Sequence, residues 1–70
     1  MPQYATNKSK LKKIDRQARI VAELRANPTV RISELAHEFH VTTETVRRDV
    51  DTLARKGMVS RTYGGAAAMA

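Results

Sequence analysis

The sequence of 70 residues contains no cysteine and no tryptophan, and its aromatic residues are one phenylalanine and two tyrosines. Without cysteine, neither a disulfide nor a thiolate zinc site can support the fold. No apolar run approaches the roughly 20 residues that a membrane-spanning helix needs, and no apolar stretch follows the basic N-terminus as in a signal peptide. We therefore expect a soluble, cytoplasmic protein with no membrane partner.

The groupings of side chains that catalysis or metal binding requires are also missing. No nucleophile, base and orienting group can be recognised together, so we expect no catalytic residue and no enzyme. His37 and His40 are one residue too close for the zinc-binding histidine pair of a helix. Gly64 and Gly65 lack the flanking pattern of a Walker or dinucleotide loop. We expect no metal and no cofactor in this chain.

Acidic residues are few, 7 against 13 lysines and arginines, which gives a net charge of +6. Residues 1–25 carry seven basic and two acidic side chains, residues 26–51 three and five, and residues 52–70 three and none. Both ends of the chain are therefore positive and its middle is not. This distribution indicates a polyanionic partner that is bound mainly through the first helix and the C-terminal segment.

The first third of the chain divides into an arm and a helix. Residues 1–13 are polar and basic and lack apolar periodicity, which predicts a flexible arm. From residue 14 to 26, steps of three and four predict one apolar stripe on a helix that Pro28 ends. The members of this stripe are Ile14, Ala18, Val21 and Leu24, with Ile20 beside them.

A second helix follows a short β-like run at residues 30–32. Ser33 has the residue type of an N-cap, so we expect a helix over residues 34–39 that buries Leu35, Ala36 and Phe39. His40 then makes the turn without a glycine, in a left-handed conformation that histidine tolerates better than most residues.

The third helix is predicted over residues 43–56, with Thr42 as its N-cap and Gly57 at its C-terminal stop. Its buried stripe is Val46, Val50 and Leu53. Asp49 lies near this buried flank, so we interpret it as a structural ion-pair partner rather than a ligand of nucleic acid.

The C-terminal segment predicts a β-hairpin. Residues 58–63 have strand character, Gly64 and Gly65 signal a turn, and a return strand begins at Ala66. We expect the first strand to pair with residues 30–32. The predicted fold is mainly α with a small β wing: a winged helix-turn-helix of three helices and a hairpin over residues 14–66.

These motifs resemble the N-terminal DNA-binding domain of DeoR-type bacterial transcriptional repressors. The resemblance covers about residues 16–66 and rests on Thr-Val-Arg-Arg-Asp at 45–49 and Arg-Thr-Tyr-Gly-Gly-Ala at 61–66. Thr42, Val50 and Tyr63 depart from the family, where serine, leucine and histidine are usual.

The resemblance implies a function and further parts of the protein. The expected function is sequence-specific binding of double-stranded operator DNA, with repression of a carbohydrate-catabolism operon. Residues 67–70 are expected to begin a linker to an absent C-terminal domain, which would bind a phosphorylated sugar effector and make the full-length protein a homo-oligomer. The headpiece alone is expected to be monomeric.

The helical wheel and the positions of the caps identify candidate contacts with DNA. The N-terminal half of the third helix supplies the candidates for base contacts: Thr43, Glu44, Thr45, Arg47 and Arg48. The helix N-termini and the wing supply the candidates for phosphate contacts: Arg31, Ser33, Thr42, Arg61, Thr62 and Tyr63. Arg47 and Arg48 cannot be divided between bases and phosphates, although Arg48 points further outward.

Two other functions share this fold. A winged-helix protein-interaction module would show no salt-dependent binding of duplexes. An RNA-binding module would prefer duplex RNA, recognised by its shape.

Overall fold

The computed structural model describes residues 11–69 of the chain. It contains three helices and three strands in the order α1 (Lys13–Ala26), β1 (Thr29–Arg31), α2 (Ile32–Phe39), α3 (Thr43–Arg55), β2 (Val59–Thr62) and β3 (Gly65–Ala68). This architecture confirms the predicted winged helix-turn-helix. Most of the predicted arm, including Lys8 and Lys10, lies outside the described residues. No helix within residues 11–69 is long and apolar enough to cross a bilayer.

One apolar core joins the three helices to the sheet. Its buried members are Ile20, Leu24, Ile32, Leu35, Ala36, Phe39, Val46, Val50, Leu53, Val59 and Ala66. The predicted buried stripes of α2 and α3 are confirmed, and α2 adds Ile32 at its start. Every helix thus contributes its apolar side to a single core, as a small domain with few residues to bury requires.

The predicted stripe of α1 is confirmed in the second half of the helix and wrong in the first half. Ile20 is fully buried, Leu24 is nearly so and Val21 packs partly buried against the core, whereas Ile14 is 76% exposed and Ala18 is exposed. Arg16, which pairs with Asp49 of α3, lies on the same side of α1 as Ile20 and Leu24. This side faces the core, and apolar spacing alone does not predict the polar contact on it.

The start of α2 also differs from the prediction. The helix begins at Ile32 with Arg31 in the N-cap position and no side-chain cap, so Ser33 lies in the first turn and does not cap. The backbone amide of Ile32 instead donates to the Gly64 carbonyl at 2.9 Å. The turn of the wing therefore satisfies the amide at the helix start.

The turn between α2 and α3 forms as predicted. His40 has φ 59° and ψ 42°, which confirms the left-handed conformation. The Thr42 hydroxyl accepts from the Thr45 amide at 3.2 Å, which confirms the N-cap of α3. At the other end of α3, Gly57 has φ 75°, and the Met58 amide closes the helix on the Leu53 carbonyl at 2.9 Å.

The sheet has the order β1-β3-β2, with both pairings antiparallel. The prediction that residues 30–32 pair with the first wing strand is therefore wrong, because Val30 is opposite Ala66 in the return strand. The hairpin turn consists of Tyr63 and Gly64, while Gly65 already belongs to β3. A Cβ on Gly65 would lie 2.0 Å from the Val30 carbonyl oxygen, so its missing side chain lets β1 approach β3.

Candidate DNA interface

The outward side of α3 presents the predicted base-reading residues together. Arg48 is the most exposed of the charged ones, with 77% of its side chain accessible against 62% for Glu44 and 47% for Arg47. Thr43 is exposed and Thr45 half-buried, with its hydroxyl 3.0 Å from that of Thr42. The hydrophobic side of α3 is buried against the core, so this outer side is free to enter a groove.

Glu44 contacts both arginines. Its two carboxylate oxygens lie 3.4 Å from Arg47 Nη1 and 3.7 Å from Arg48 Nε. Exposed pairs at these helical spacings stabilise by only about 0.3–0.5 kcal/mol. The two guanidinium groups are therefore available to a ligand, and each has the donors to bind both acceptors of a guanine.

Asp49, which follows Arg48, points the other way and is buried. Its carboxylate accepts from Arg16 Nε at 2.5 Å and from Gln17 at 3.3 Å. Arg16 Nη1 also donates to the Leu11 carbonyl at 2.8 Å. The prediction of a structural ion pair at Asp49 is confirmed. Because successive helical residues are about 100° apart, fixing Asp49 inward keeps Arg48 outward.

The candidate phosphate contacts at helix N-termini belong to α2 and α3. Arg31 ends β1 directly before α2, is exposed, and forms no ion pair within the described part of the chain. Ser33 is exposed in the first turn of α2. Thr42 already uses its hydroxyl oxygen as a cap. Arg31 therefore supplies an unpaired positive charge, and the two hydroxyl residues flank free helix amides.

The wing carries the remaining candidates. Arg61, Thr62 and Tyr63 are all exposed, with Tyr63 in the turn. Arg61 Nη1 contacts Asp51 Oδ1 on α3. This contact could not be predicted from the sequence, because the phase of a helix does not tell where a following strand packs.

A polar cleft runs beside α3 toward the start of α1. Its lining includes Lys13, Thr45, Arg48, Asp51 and Arg55. Lys13 and Arg55 form no ion pair with any residue between 11 and 69, so these two side chains add positive charge beside Arg48. Within the same residues, no three His, Asp or Glu side chains are grouped as a metal site would require.

Comparison with known proteins gives a consistent result. The family model described as the DeoR-like helix-turn-helix domain matches residues 16–70. The HTH-type transcriptional regulator YulB of Bacillus subtilis and the transcriptional repressor AccR of Agrobacterium fabrum are each 42% identical over 52 residues, 74% of this chain and 20% of theirs.

An activator is similar as well. The L-fucose operon activator of Haemophilus influenzae is 49% identical over 35 residues, 50% of this chain and 14% of that protein. The chain spans about a fifth of the length of the first two relatives. No solved structure matches the chain.

Proposed function

We propose, because the chain belongs to the DeoR-like helix-turn-helix family of DNA-binding transcription regulators, that α3 reads operator bases while the helix N-termini and the wing bind the backbone. The observation that supports this most directly is the outward side of α3. There Arg48 is 77% exposed, while its neighbour Asp49 is buried and fixed to α1.

The proposed base contacts follow from the chemistry of each side chain. Arg48, and with it Arg47, would donate to the O6 and N7 acceptors of guanine. Glu44 would accept from a cytosine amine and, since phosphates repel it elsewhere, would act mainly against wrong sequences. Thr43 and Thr45 would offer methyl groups to thymine or hydroxyl groups to the backbone.

The proposed phosphate contacts surround the reading helix. Arg31, Ser33 and Thr42 lie at the helix N-termini, where free amides attract anions. The contacts from the wing would be those of Arg61, Thr62 and Tyr63. About six phosphate contacts per domain would make the affinity for DNA fall steeply as salt is added.

The regulatory role is proposed at the level of the whole protein. We propose that it represses a carbohydrate-catabolism operon in the cytoplasm, by occlusion or looping of promoter DNA and without a catalytic step. The name of the transcriptional repressor among the relatives supports repression, and that of the L-fucose operon activator supports the operon class. A phosphorylated sugar bound by a further domain would set the affinity for operator DNA. That domain would also make the protein oligomeric, whereas the headpiece alone would be a monomer.

The test is selection of duplexes from a random pool by this 70-residue chain. We expect a preferred DNA sequence. The logarithm of the affinity for it should fall linearly with the logarithm of the salt concentration. Duplex RNA of the same sequence serves as competitor. Stronger competition by RNA would indicate the RNA-binding alternative, and the absence of any salt-dependent duplex binding would indicate a protein-interaction module.

A further inference from the structure

The wing has one charged residue, Arg61, and this residue is tied to the reading helix. Its Nη1 contacts Oδ1 of Asp51, which lies in α3 ten residues earlier in the chain. The two side chains are 43% and 35% exposed. The contact therefore lies at the surface, where a bound duplex can reach Arg61.

Among the described residues, this ion pair is the one polar contact between side chains of α3 and β2. The two elements also share the apolar core, to which β2 contributes the buried Val59. An apolar contact holds the strand against the helix but has little directional preference. The carboxylate of Asp51 adds direction, because it fixes where the Arg61 guanidinium lies relative to Arg48.

Asp51 leaves most of the Arg61 guanidinium available. A guanidinium has five N–H donors, and the contact with Asp51 is made through Nη1. The Nε and Nη2 donors remain for a phosphate oxygen. A carboxylate and a phosphate can therefore bind one arginine together, with the carboxylate setting the angle of the group.

We propose that Asp51 is a positioning residue that sets the spacing between the wing's phosphate contact and the base contacts of α3, and so determines sequence selectivity. The inference rests on the proposed function, since it requires Arg61 to meet a phosphate. Asp51 itself has the wrong charge to attract DNA. Asp51 contributes to selectivity because it lies on the same rigid helix as Arg48 and holds Arg61 of the wing at a fixed distance from it.

The test compares the 70-residue chain with its Asp51→Asn variant on two duplexes, the one preferred in selection and one of random sequence, over a range of salt. Asparagine keeps the size and removes the charge. We expect the preference for the selected duplex to fall about two- to five-fold, the range for loss of one exposed ion pair. Affinity for the random duplex should hold or rise, because the net charge increases by one.

Asp15→Asn is the matched control. Asp15 is exposed in the first turn of α1 and forms no ion pair with any residue from 11 to 69. Its replacement changes the net charge equally, so a general charge effect should appear in both variants, and a loss of preference only in Asp51→Asn. Asp51→Glu, which retains a carboxylate, should recover part of the preference.

Two results would overturn the role of Asp51. If Asp51→Asn binds the selected duplex more tightly by the same factor as the random one, Asp51 merely competes with phosphate for Arg61. If Asp51→Asn lowers the preference equally in an Arg61→Ala background, Asp51 does not act through Arg61. Far-UV circular dichroism of each variant verifies that the fold is retained.

The Arg61→Ala variant and the unmodified chain separate this inference from the proposed function. Arg61→Ala should weaken binding of both duplexes and reduce the salt slope by about one. It should also lower the preference for the selected duplex about as far as Asp51→Asn does, because the selectivity is proposed to act through Arg61. If it leaves the slope unchanged while the unmodified chain still prefers the selected duplex, the phosphate contact is refuted and the reading role of α3 stands. An unmodified chain without any preference would overturn both.

Discussion

The guanidinium of Arg16 donates to the buried carboxylate of Asp49 at 2.5 Å, and this pair ties the reading helix to α1. Asp49 is 2% exposed, and no other charged residue among those that the structure describes is buried. Arg16 is also nearly buried, with 12% of its side chain accessible. Since Asp49 follows Arg48 directly, a contact made for stability also sets the orientation of the proposed base-reading residue.

The first prediction concerns this pair. Asp49→Asn should lower the free energy of unfolding by about 3 kcal/mol, because removing one partner leaves a largely buried guanidinium without its counter-charge. Urea unfolding followed by circular dichroism measures the loss. Asp51→Asn is the control, since its surface pair should contribute less than about 1 kcal/mol. Equal midpoints for the two variants would show that burial of the Arg16 pair has no special weight.

The ion pair of Asp49 could be predicted from the sequence only in part. Helical phase places Asp49 at the buried flank of α3, and the structure confirms that it forms an ion pair there. The partner could not be named, because Arg16 is 33 residues away and its approach depends on how α1 packs. Arg16 lies on the buried side of α1, whereas Ile14, which fits the apolar spacing, is exposed. Local signals such as the Thr42 cap and the left-handed His40 needed no such long-range information, and both are confirmed.

The second prediction concerns the paired glycines of the wing. Gly65→Ala should destabilise by about 2 kcal/mol or more, because its Cβ would overlap the Val30 carbonyl, a backbone group that cannot move without breaking the sheet. Gly64→Ala should cost only about 1–2 kcal/mol, since its φ of 78° disfavours a side chain but the space around it is open. Thermal unfolding of both variants compares the two costs.

A larger effect at Gly64 than at Gly65 would contradict the close approach of β1 to β3. The two glycines read alike in the sequence, as a turn. Which of them lies in the turn depends on the strand that occupies the centre of the sheet. That choice depends on the packing of β1 against the small residues of β3, a contact between segments far apart in the chain.

The third prediction is a pH dependence. Burial, followed by repulsion from Glu38, raises the pKa of the Glu23 carboxyl above its ordinary 4.5, although Arg19 opposes the shift. The folded state therefore holds this proton more tightly than the unfolded state. The resulting stability is fully present below the ordinary pKa and is lost as the pH rises through the folded-state pKa, so ionised Glu23 lowers stability at neutral pH.

Glu23→Gln removes the ionisation while retaining the shape of the side chain. We expect the variant to be more stable than the unmodified chain at neutral pH, by about 0.5 kcal/mol, the scale of a surface charge interaction. In acid below the ordinary pKa of Glu23 the difference should vanish. Urea midpoints at several pH values measure both. A variant less stable at neutral pH would mean that attraction to Arg19 outweighs burial and Glu38.

The fourth prediction tests the proposed reading of bases. Arg48→Ala should reduce the preference for the selected duplex over a random one by at least about 1 kcal/mol, because a bidentate contact with guanine discriminates by that much or more. Arg25→Ala is the control. Arg25 is an exposed arginine in the last turn of α1 and is outside the proposed interface. Arg25 carries the same charge as Arg48, so its loss should weaken the binding of both duplexes equally and only slightly. If Arg48→Ala also weakens both by the same factor, Arg48 binds phosphate, and the greater loss of preference should then appear in Arg47→Ala.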